Sequence, residues 1–359
     1  MKDRIRVLII GSGFSAGLHL SGYVRLGGKV EIAGICSKAP EQIKALAEQY
    51  GLSGYEAFDD YQQAIDSVDC DLVDICVPNF LHHPVCMKAL EKGRHVLCEK
   101  PLATNAEHAR EMVDTARAKG LHIYYGEDWI FAPAIMRALE IVEEGALGKI
   151  AYMRARECHS GSHSPYNQTI AMCGGGAMIN LGIHPIGLMM AIKNHKWTSV
   201  TAFGTGGKEQ NVQHKSLEGE DLSGCFVTFE DGSSALLEAN YVTTGGMEDV
   251  VDFYGDKGCI HLNLNQEGPI ACFSVPGLAY TVEKAEVTTG WSHPAYDEMY
   301  TLGYTGEIAH FVECCRKGEP ARIGLRGEDG HASLELLACI YQSMREGRKI
   351  DNPRGGSAK

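Results

Sequence analysis

The first apolar run of the chain ends on glycines. Ile5-Arg6-Val7-Leu8-Ile9-Ile10 is followed at once by Gly11-Ser12-Gly13-Phe14-Ser15-Ala16-Gly17. A buried strand that breaks into glycines and resumes as a helix leaves few folds open. The run fits G-x-G-x-x-A. The first glycine permits a tight turn, the second lets backbone approach a pyrophosphate, and a small third position lets the helix pack on its strand. The helix N-terminus then offers N–H groups to the phosphates. Gly11, Gly13, Phe14, Ser15 and Ala16 are therefore expected to bind a dinucleotide.

The same rhythm continues for about 130 residues. Strands are predicted at 5–10, 30–36, 72–77, 95–98 and 121–125, with helices between them, the pattern of a parallel sheet with crossover helices. Leu72-Val73-Asp74-Ile75-Cys76-Val77 is apolar on both faces, as a sheet covered on both sides requires. Pro40 and Gly51 mark the ends of one helix, and Thr104-Asn105-Ala106-Glu107 reads as a capping box opening another. After residue 148 the period changes to two, at 149–157, 223–229, 234–242, 249–254 and 258–263. Turns are expected at Glu230-Asp231-Gly232 and Gly255-Asp256-Lys257-Gly258. Helical periodicity returns at 305–317 and 329–346. The fold class is α/β: a Rossmann domain over 1–128, then an α+β domain with a large open, mostly antiparallel sheet over 129–350. The second domain is expected to bind substrate and form oligomers, and 351–359 to be a flexible tail.

Composition narrows the partners. The 359 residues suit two cores. A net charge of −13 argues against nucleic acid or an anionic membrane. The 13 cysteines are scattered, odd in number and without a C-x-x-C pair, which suits free thiols in a reducing cytoplasm. The N-terminus does not read as a signal peptide, and no apolar run is long enough to span a bilayer.

The tip of the second strand bears on the choice of nicotinamide cofactor. A carboxylate there would hold a ribose 2′-hydroxyl, and a basic residue would suit a 2′-phosphate. The chain has Ile35-Cys36-Ser37-Lys38, so Ser37 and Lys38 are expected cofactor contacts, and both NAD and NADP stay open. In the stretch His95-Val96-Leu97-Cys98-Glu99-Lys100-Pro101 a lysine stands where a buried strand ends. Open parallel sheets bind ligands at that end, which gives Lys100 a functional reading over a solvated one.

Three further segments resemble the Gfo/Idh/MocA oxidoreductases. Val77-Pro78-Asn79-Phe80-Leu81-His82 is similar to the TPNxxH loop of that family, and Glu99-Lys100-Pro101 matches its EKP. Gly174-Gly175-Gly176-Ala177-Met178-Ile179-Asn180-Leu181-Gly182-Ile183-His184 resembles its GGGxxxDxGxH segment. The resemblance extends to Leu302-Gly303-Tyr304 and the helix of Glu307-Ile308-Ala309-His310-Phe311. It implies a Rossmann domain followed by an open-faced sheet, with the active site between them. It makes Lys100 and His184 the catalytic pair, and places Pro78, Asn79, His82, Glu99 and Lys100 near the cofactor. Asn180 stands where the family often has Asp, which keeps a hydrogen-bonding group but removes a charge and any role as base. The family's Lys–Pro bond is often cis, so a cis Lys100–Pro101 bond is expected.

The resemblance also implies the chemistry. Oxidising a secondary alcohol needs a hydride acceptor and a base within hydrogen-bond reach of the hydroxyl. The expected enzyme is an NAD(P)-dependent dehydrogenase acting on a sugar, glycoside (possibly at C3 of a glucoside) or cyclic polyol. The rival readings are a glycosidase that oxidises transiently with bound NAD, and a non-catalytic cofactor sensor. Expected substrate contacts are Lys100, Asp128, His159, His163, Tyr166, Asn180 and His184. In the His/Ser-rich segment Glu157–Tyr166 after the first strand of the second domain, a metal site from Glu157, His159, His163 and His184 is conceivable, but the spacing fits no standard helix pattern and no metal is expected. The open sheet is expected to pair copies into a homodimer or homotetramer.

Overall fold

The computed structural model describes residues 2–162, 164–265, 268–280 and 284–355. They divide into two compact units, Met1–Asp128 with Gly303–Leu334, and Trp129–Leu302 with Glu335–Lys359.

In the first unit, strands β1 (Ile5–Ile10), β2 (Val30–Cys36), β3 (Glu56–Phe58), β4 (Leu72–Ile75), β5 (His95–Glu99) and β6 (Ile123–Gly126) alternate with helices α1 (Phe14–Arg25), α2 (Pro40–Tyr50), α3 (Tyr61–Ser67), α4 (His82–Glu91) and α5 (Ala106–Lys119). All strand pairs are parallel, in the order β3-β2-β1-β4-β5-β6. Chain direction across the sheet reverses at β1, so β1 and β4 flank a switch point, where ligands bind in such sheets. β1, β4 and β5 are almost wholly buried, because helices cover both faces.

Two details differ from the sequence reading. The edge strand β3 is a short, largely exposed segment without an apolar signal, and counting it makes His95–Glu99 the fifth strand. The cap of α5 is Asn105, whose side chain accepts the His108 N–H at 2.9 Å, one residue later than a Thr104 box would place it.

In the second unit, α6 (Pro133–Glu143) precedes β7 (Ile150–Cys158). The chain continues through α7 (Ile170–Cys173), α8 (Ala177–Asn180), α9 (Ile183–Ile192), β8 (Trp197–Gly204), β9 (Leu222–Phe229), β10 (Ser234–Asn240), β11 (Glu248–Gly255) and β12 (Cys259–Asn263). A small hairpin, β13 (Cys272–Ser274) with β14 (Gly290–Ser292), and α10 (Glu298–Thr301) follow. Helices α11 (Tyr304–Lys317) and α12 (Gly327–Glu346) and the short β15 (Ile350–Asp351) complete the chain. The large sheet runs β12-β11-β7-β10-β9-β8-β15, antiparallel except for β7 with β10. It is thus mostly antiparallel with one parallel seam.

The expected second domain of 129–350 is interrupted. Helix α11 belongs to the first unit, where Ile308 packs against Gly22 of α1 and Phe311 stacks on Tyr124 of β6 at 5.6 Å. The expected flexible tail is also partly structured. Asp351 pairs with Ser199, and Asn352 Nδ2 donates to Trp197 O at 2.8 Å. Residues 356–359 lie outside the described residues.

No single described helix is long and apolar enough to cross a membrane. The apolar helix α9 is buried from Ile183 through Met190. The 13 cysteines are free thiols, 11 of them buried.

Candidate active site

The glycine turn lies where the sequence places it. Gly11 N donates to Cys36 O and Cys76 N to Ile10 O, both at 2.8 Å, so the turn sits between the ends of β2 and β4. Gly13 caps α1 without a side-chain hydrogen bond, and nothing lies within 4 Å of where its Cβ would be. The start of α1 thus has no side-chain cap and is uncrowded at Gly13, which suits a phosphate. Phe14 beside them is 64% exposed, Ser15 is half-buried and Ala16 is buried against the sheet. These residues fit a dinucleotide.

At the tip of β2 the Ser37 hydroxyl is already engaged. It accepts from Ser12 Oγ at 2.6 Å and from Ala39 N at 3.1 Å. Lys38 is exposed. Asp59 and Asp60, at the end of β3, act on Cys36 electrostatically. These carboxylates reach the tip from the edge strand that the sequence reading lacked.

β5 delivers Lys100. The Lys100–Pro101 bond is cis. Lys100 is half-buried, and its N–H donates to Glu99 Oε2 at 3.1 Å. His82 was expected to meet the cofactor, but it is buried, with Nδ1 2.7 Å from Pro101 O and Nε2 2.8 Å from Val77 O. Burial pushes its pKa down while the two carbonyl contacts oppose that, and the ring links the segment just after β4 to Pro101. Glu99 is likewise turned inward: its Oε1 lies 2.9 Å from His19 Nε2. Pro78 and Asn79 are half-buried in the turn before α4.

Beneath Lys100 lies a buried ionic cluster that the sequence reading missed. His19 and Tyr23, one turn apart on α1, meet Asp74 of β4 and Glu99 of β5. Glu307 of α11 is fully buried nearby, and neither of its carboxyl oxygens has a hydrogen-bond partner among the described residues. Burial, reinforced by Asp128, raises its pKa well above the usual range, with Glu99 and Glu127 adding to the rise and His19 opposing it. His19, Asp74 and Cys76 come within metal-ligand reach of one another. Burial pushes the Cys76 thiol up to about 12, and Tyr23 and Glu99 extend the hydrogen-bonded set.

Glu307 yields a pH prediction. A carboxyl whose folded pKa is raised adds stability that is complete at low pH and is lost as pH climbs through the folded value. Glu307→Gln supplies the uncharged group directly. The variant is expected to gain several degrees in melting temperature over the parent near pH 8, with a smaller gain near pH 5. Paired thermal melts of the cofactor-free proteins check this, and a gain that is larger in acid contradicts it.

In the second unit, the segment from Gly174 to His184 folds into a turn, α8 and the start of α9. Gly176 is required by contact rather than by φ: a Cβ there would lie 2.1 Å from Glu220 O and 2.4 Å from Glu220 N. Glu220 Oε1 accepts from Met178 N at 2.9 Å and Tyr341 Oη at 3.1 Å, which locks the turn. Asn180 is buried, and its Nδ2 donates to Gly176 O at 2.8 Å. His184 is 3% exposed, its ring stacked on Trp129 at 5.7 Å. Its Nε2 stands 3.6 Å from Oε2 of Glu157, a buried carboxylate at the end of β7. Glu157 opens the His/Ser-rich stretch, and β7 carries it to His184.

His159 is buried, with Nδ1 accepting from Gly161 N at 3.0 Å and its ring 5.2 Å from that of Tyr241. Tyr166 is 44% exposed in a short turn. His163 lies outside the described residues. Asp128, in the first unit, is buried.

Two family models match this chain: the oxidoreductase family with an NAD-binding Rossmann fold over residues 5–127, and the GFO/IDH/MocA C-terminal domain over residues 135–261. The chain belongs to the Gfo/Idh/MocA oxidoreductase family. It is 29% identical to the D-glucoside 3-dehydrogenase of Escherichia coli strain K12, over 97% of each chain. It is 23% identical to the levoglucosan dehydrogenase of Pseudarthrobacter phenanthrenivorans, over 98% of this chain and 99% of that one. Among solved structures, GenD2 from gentamicin A biosynthesis, in complex with NAD, shares the fold with a TM-score of 0.89. It is 24% identical and covers 98% of this chain and 97% of its own. Membership of the Gfo/Idh/MocA family makes the protein an NAD-binding oxidoreductase.

Proposed function

We propose that the protein oxidises a secondary hydroxyl of a glycoside, at C3 of a glucose ring, with NAD as hydride acceptor. The observation that carries this reading is the end-to-end similarity to a D-glucoside 3-dehydrogenase. NAD is favoured over NADP because Asp59 and Asp60 outnumber Lys38 near the tip of β2, where a 2′-phosphate would sit.

Bound nicotinamide supplies the hydride acceptor; the chain supplies the rest. The C–H electron pair leaves the carbinol carbon as hydride, and the hydroxyl proton passes to a base as the carbonyl forms. Lys100 and His184 serve that proton. Lys100 leaves β5 where parallel sheets bind ligands. His184 is held by Trp129 on its face, with the Glu157 carboxylate near Nε2 to balance an imidazolium. Asn180 donates to Gly176 O; it orients and does not take the proton. His159, turned by Gly161 N, and Tyr166 are proposed to meet sugar hydroxyls.

We assign the outer face of the large sheet, where Phe203 and Phe226 are exposed, to contact with a second copy in a homodimer or homotetramer. The 13 cysteines, with no disulfide among them, favour a reducing cytoplasm.

Purified protein incubated with NAD and a panel of methyl glucosides, free sugars and inositols tests the assignment. Reduced nicotinamide is expected to form fastest with a glucoside. No turnover on the panel with either cofactor overturns the reading, and hydrolysis without net cofactor reduction replaces it with transient oxidation.

A further inference from the structure

The cluster beneath Lys100 has no role in the reaction as written, and its composition is costly. Burying ions seldom stabilises a fold, since apolar residues of similar size serve as well or better. Here His19 is fully buried between two carboxylates. Its Nδ1 lies 2.9 and 3.0 Å from the two oxygens of Asp74, and its Nε2 lies 2.9 Å from Glu99 Oε1. Only an imidazolium has a proton on both nitrogens, so the geometry calls for the charged ring. Burial opposes that charge, but the Asp74 carboxylate beside the ring holds the His19 pKa well above its ordinary value. Tyr23 Oη donates to Asp74 Oδ2 at 2.9 Å and fixes the far carboxylate.

The near carboxylate is what matters for the reaction. Glu99 is gripped on one oxygen by His19, and its other oxygen accepts the Lys100 N–H. The direction in which Lys100 leaves β5 is thus tied, through one carboxylate, to a ring on α1. The same helix begins at the glycine turn. One rigid element therefore carries both the dinucleotide-binding N-terminus and the group that orients the residue after β5.

We propose that His19 is a positioning residue for Lys100, acting through Glu99, and that it sets the register between the lysine and the dinucleotide turn. The inference rests on the reading of Lys100 as a base for the reaction. His19 touches neither substrate nor cofactor in this account. Its loss is expected to lower kcat while leaving substrate KM and NAD affinity nearly unchanged, because misplacing a reacting group by about 1 Å costs up to roughly a hundredfold in rate.

The test uses His19→Gln, which can donate to only one of the two carboxylates and has no charge, and Glu99→Gln, which keeps the shape of the near partner. Each is made alone and in a Lys100→Ala background, with the fold checked by circular dichroism and NAD binding by fluorescence titration. Both single variants are expected to lose about tenfold or more in kcat, with KM and NAD affinity within about twofold, and to cause no further loss once Lys100 is gone. If His19→Gln does not fold, Glu99→Gln carries the same expectation. A folded single variant with parental kcat overturns the inference, as does an equal loss with and without Lys100. Parental turnover by Lys100→Ala alone overturns the functional reading itself, an outcome distinct from either.

Discussion

Replacing Lys100 with alanine is expected to lower kcat on the best glycoside by roughly 10²–10⁴-fold, the range over which a positioned acid or base contributes. NAD binding should hold, because the proposed phosphate contacts come from the turn of Gly11 and Gly13 and the start of α1. KM should change little, since a proton acceptor acts chiefly in the transition state. The fold should hold as well: Lys100 is half-buried, and its backbone N–H, which the variant keeps, makes the bond to Glu99. Lys100→Arg is expected to fail nearly as badly, because a guanidinium does not deprotonate near neutral pH. Steady-state kinetics of the three proteins, with NAD titrations alongside, measure this. A Lys100→Ala enzyme within a few-fold of the parent would remove Lys100 from the mechanism.

Gly11→Ala should have the largest effect on the fold. Gly11 has φ +123°, a region that side chains disfavour, and a Cβ would lie 2.1 Å from Cys76 O and 2.6 Å from Cys76 C. The backbone has no room to relax, because Gly11 N is bonded to Cys36 O on one side and Cys76 N to Ile10 O on the other. The clash falls on the Cys76 carbonyl, one residue past β4, beside the centre of the sheet. A loss of roughly 3–5 kcal/mol in unfolding free energy is expected, near the upper end for single substitutions. NAD affinity should fall with it. Gly13→Ala is the control, since no atom lies within 4 Å of its added Cβ; it should fold and weaken only the cofactor. Urea unfolding and NAD titration of both variants distinguish the two effects, and a Gly11→Ala protein of parental stability contradicts the close approach.

The first unit was legible where burial was complete. β1, β4 and β5 read as strands because both faces of each are covered, so the apolar signal is continuous. The edge strand β3 did not, because Glu56 and Ala57 are exposed and three residues hold no period. β8 was hidden in a similar way, as its last residues Phe203 and Gly204 are exposed. The helical period of α11 was plain, but a period does not say which core a helix joins. Lys100, Asn180 and His184 were singled out through motifs. Their partners were not, for a physical reason: His19 lies 55 positions from Asp74 and 80 from Glu99, and only the parallel topology brings them together. One signal was present. His19 and Tyr23 stand one turn apart on a helix face that must pack on the sheet, and polar groups on a buried face require partners. Glu307 carried the same signal on α11.

The most direct test of the central claim follows the hydride itself. A methyl glucoside carrying deuterium at C3 is incubated with the enzyme and NAD, and the reduced cofactor is analysed by mass spectrometry. The account predicts that the label appears on the nicotinamide, that the sugar product is the 3-keto glycoside, and that turnover slows relative to the unlabelled glucoside where hydride transfer limits the rate. Reduced cofactor without label, or label retained in the sugar, would contradict oxidation at C3.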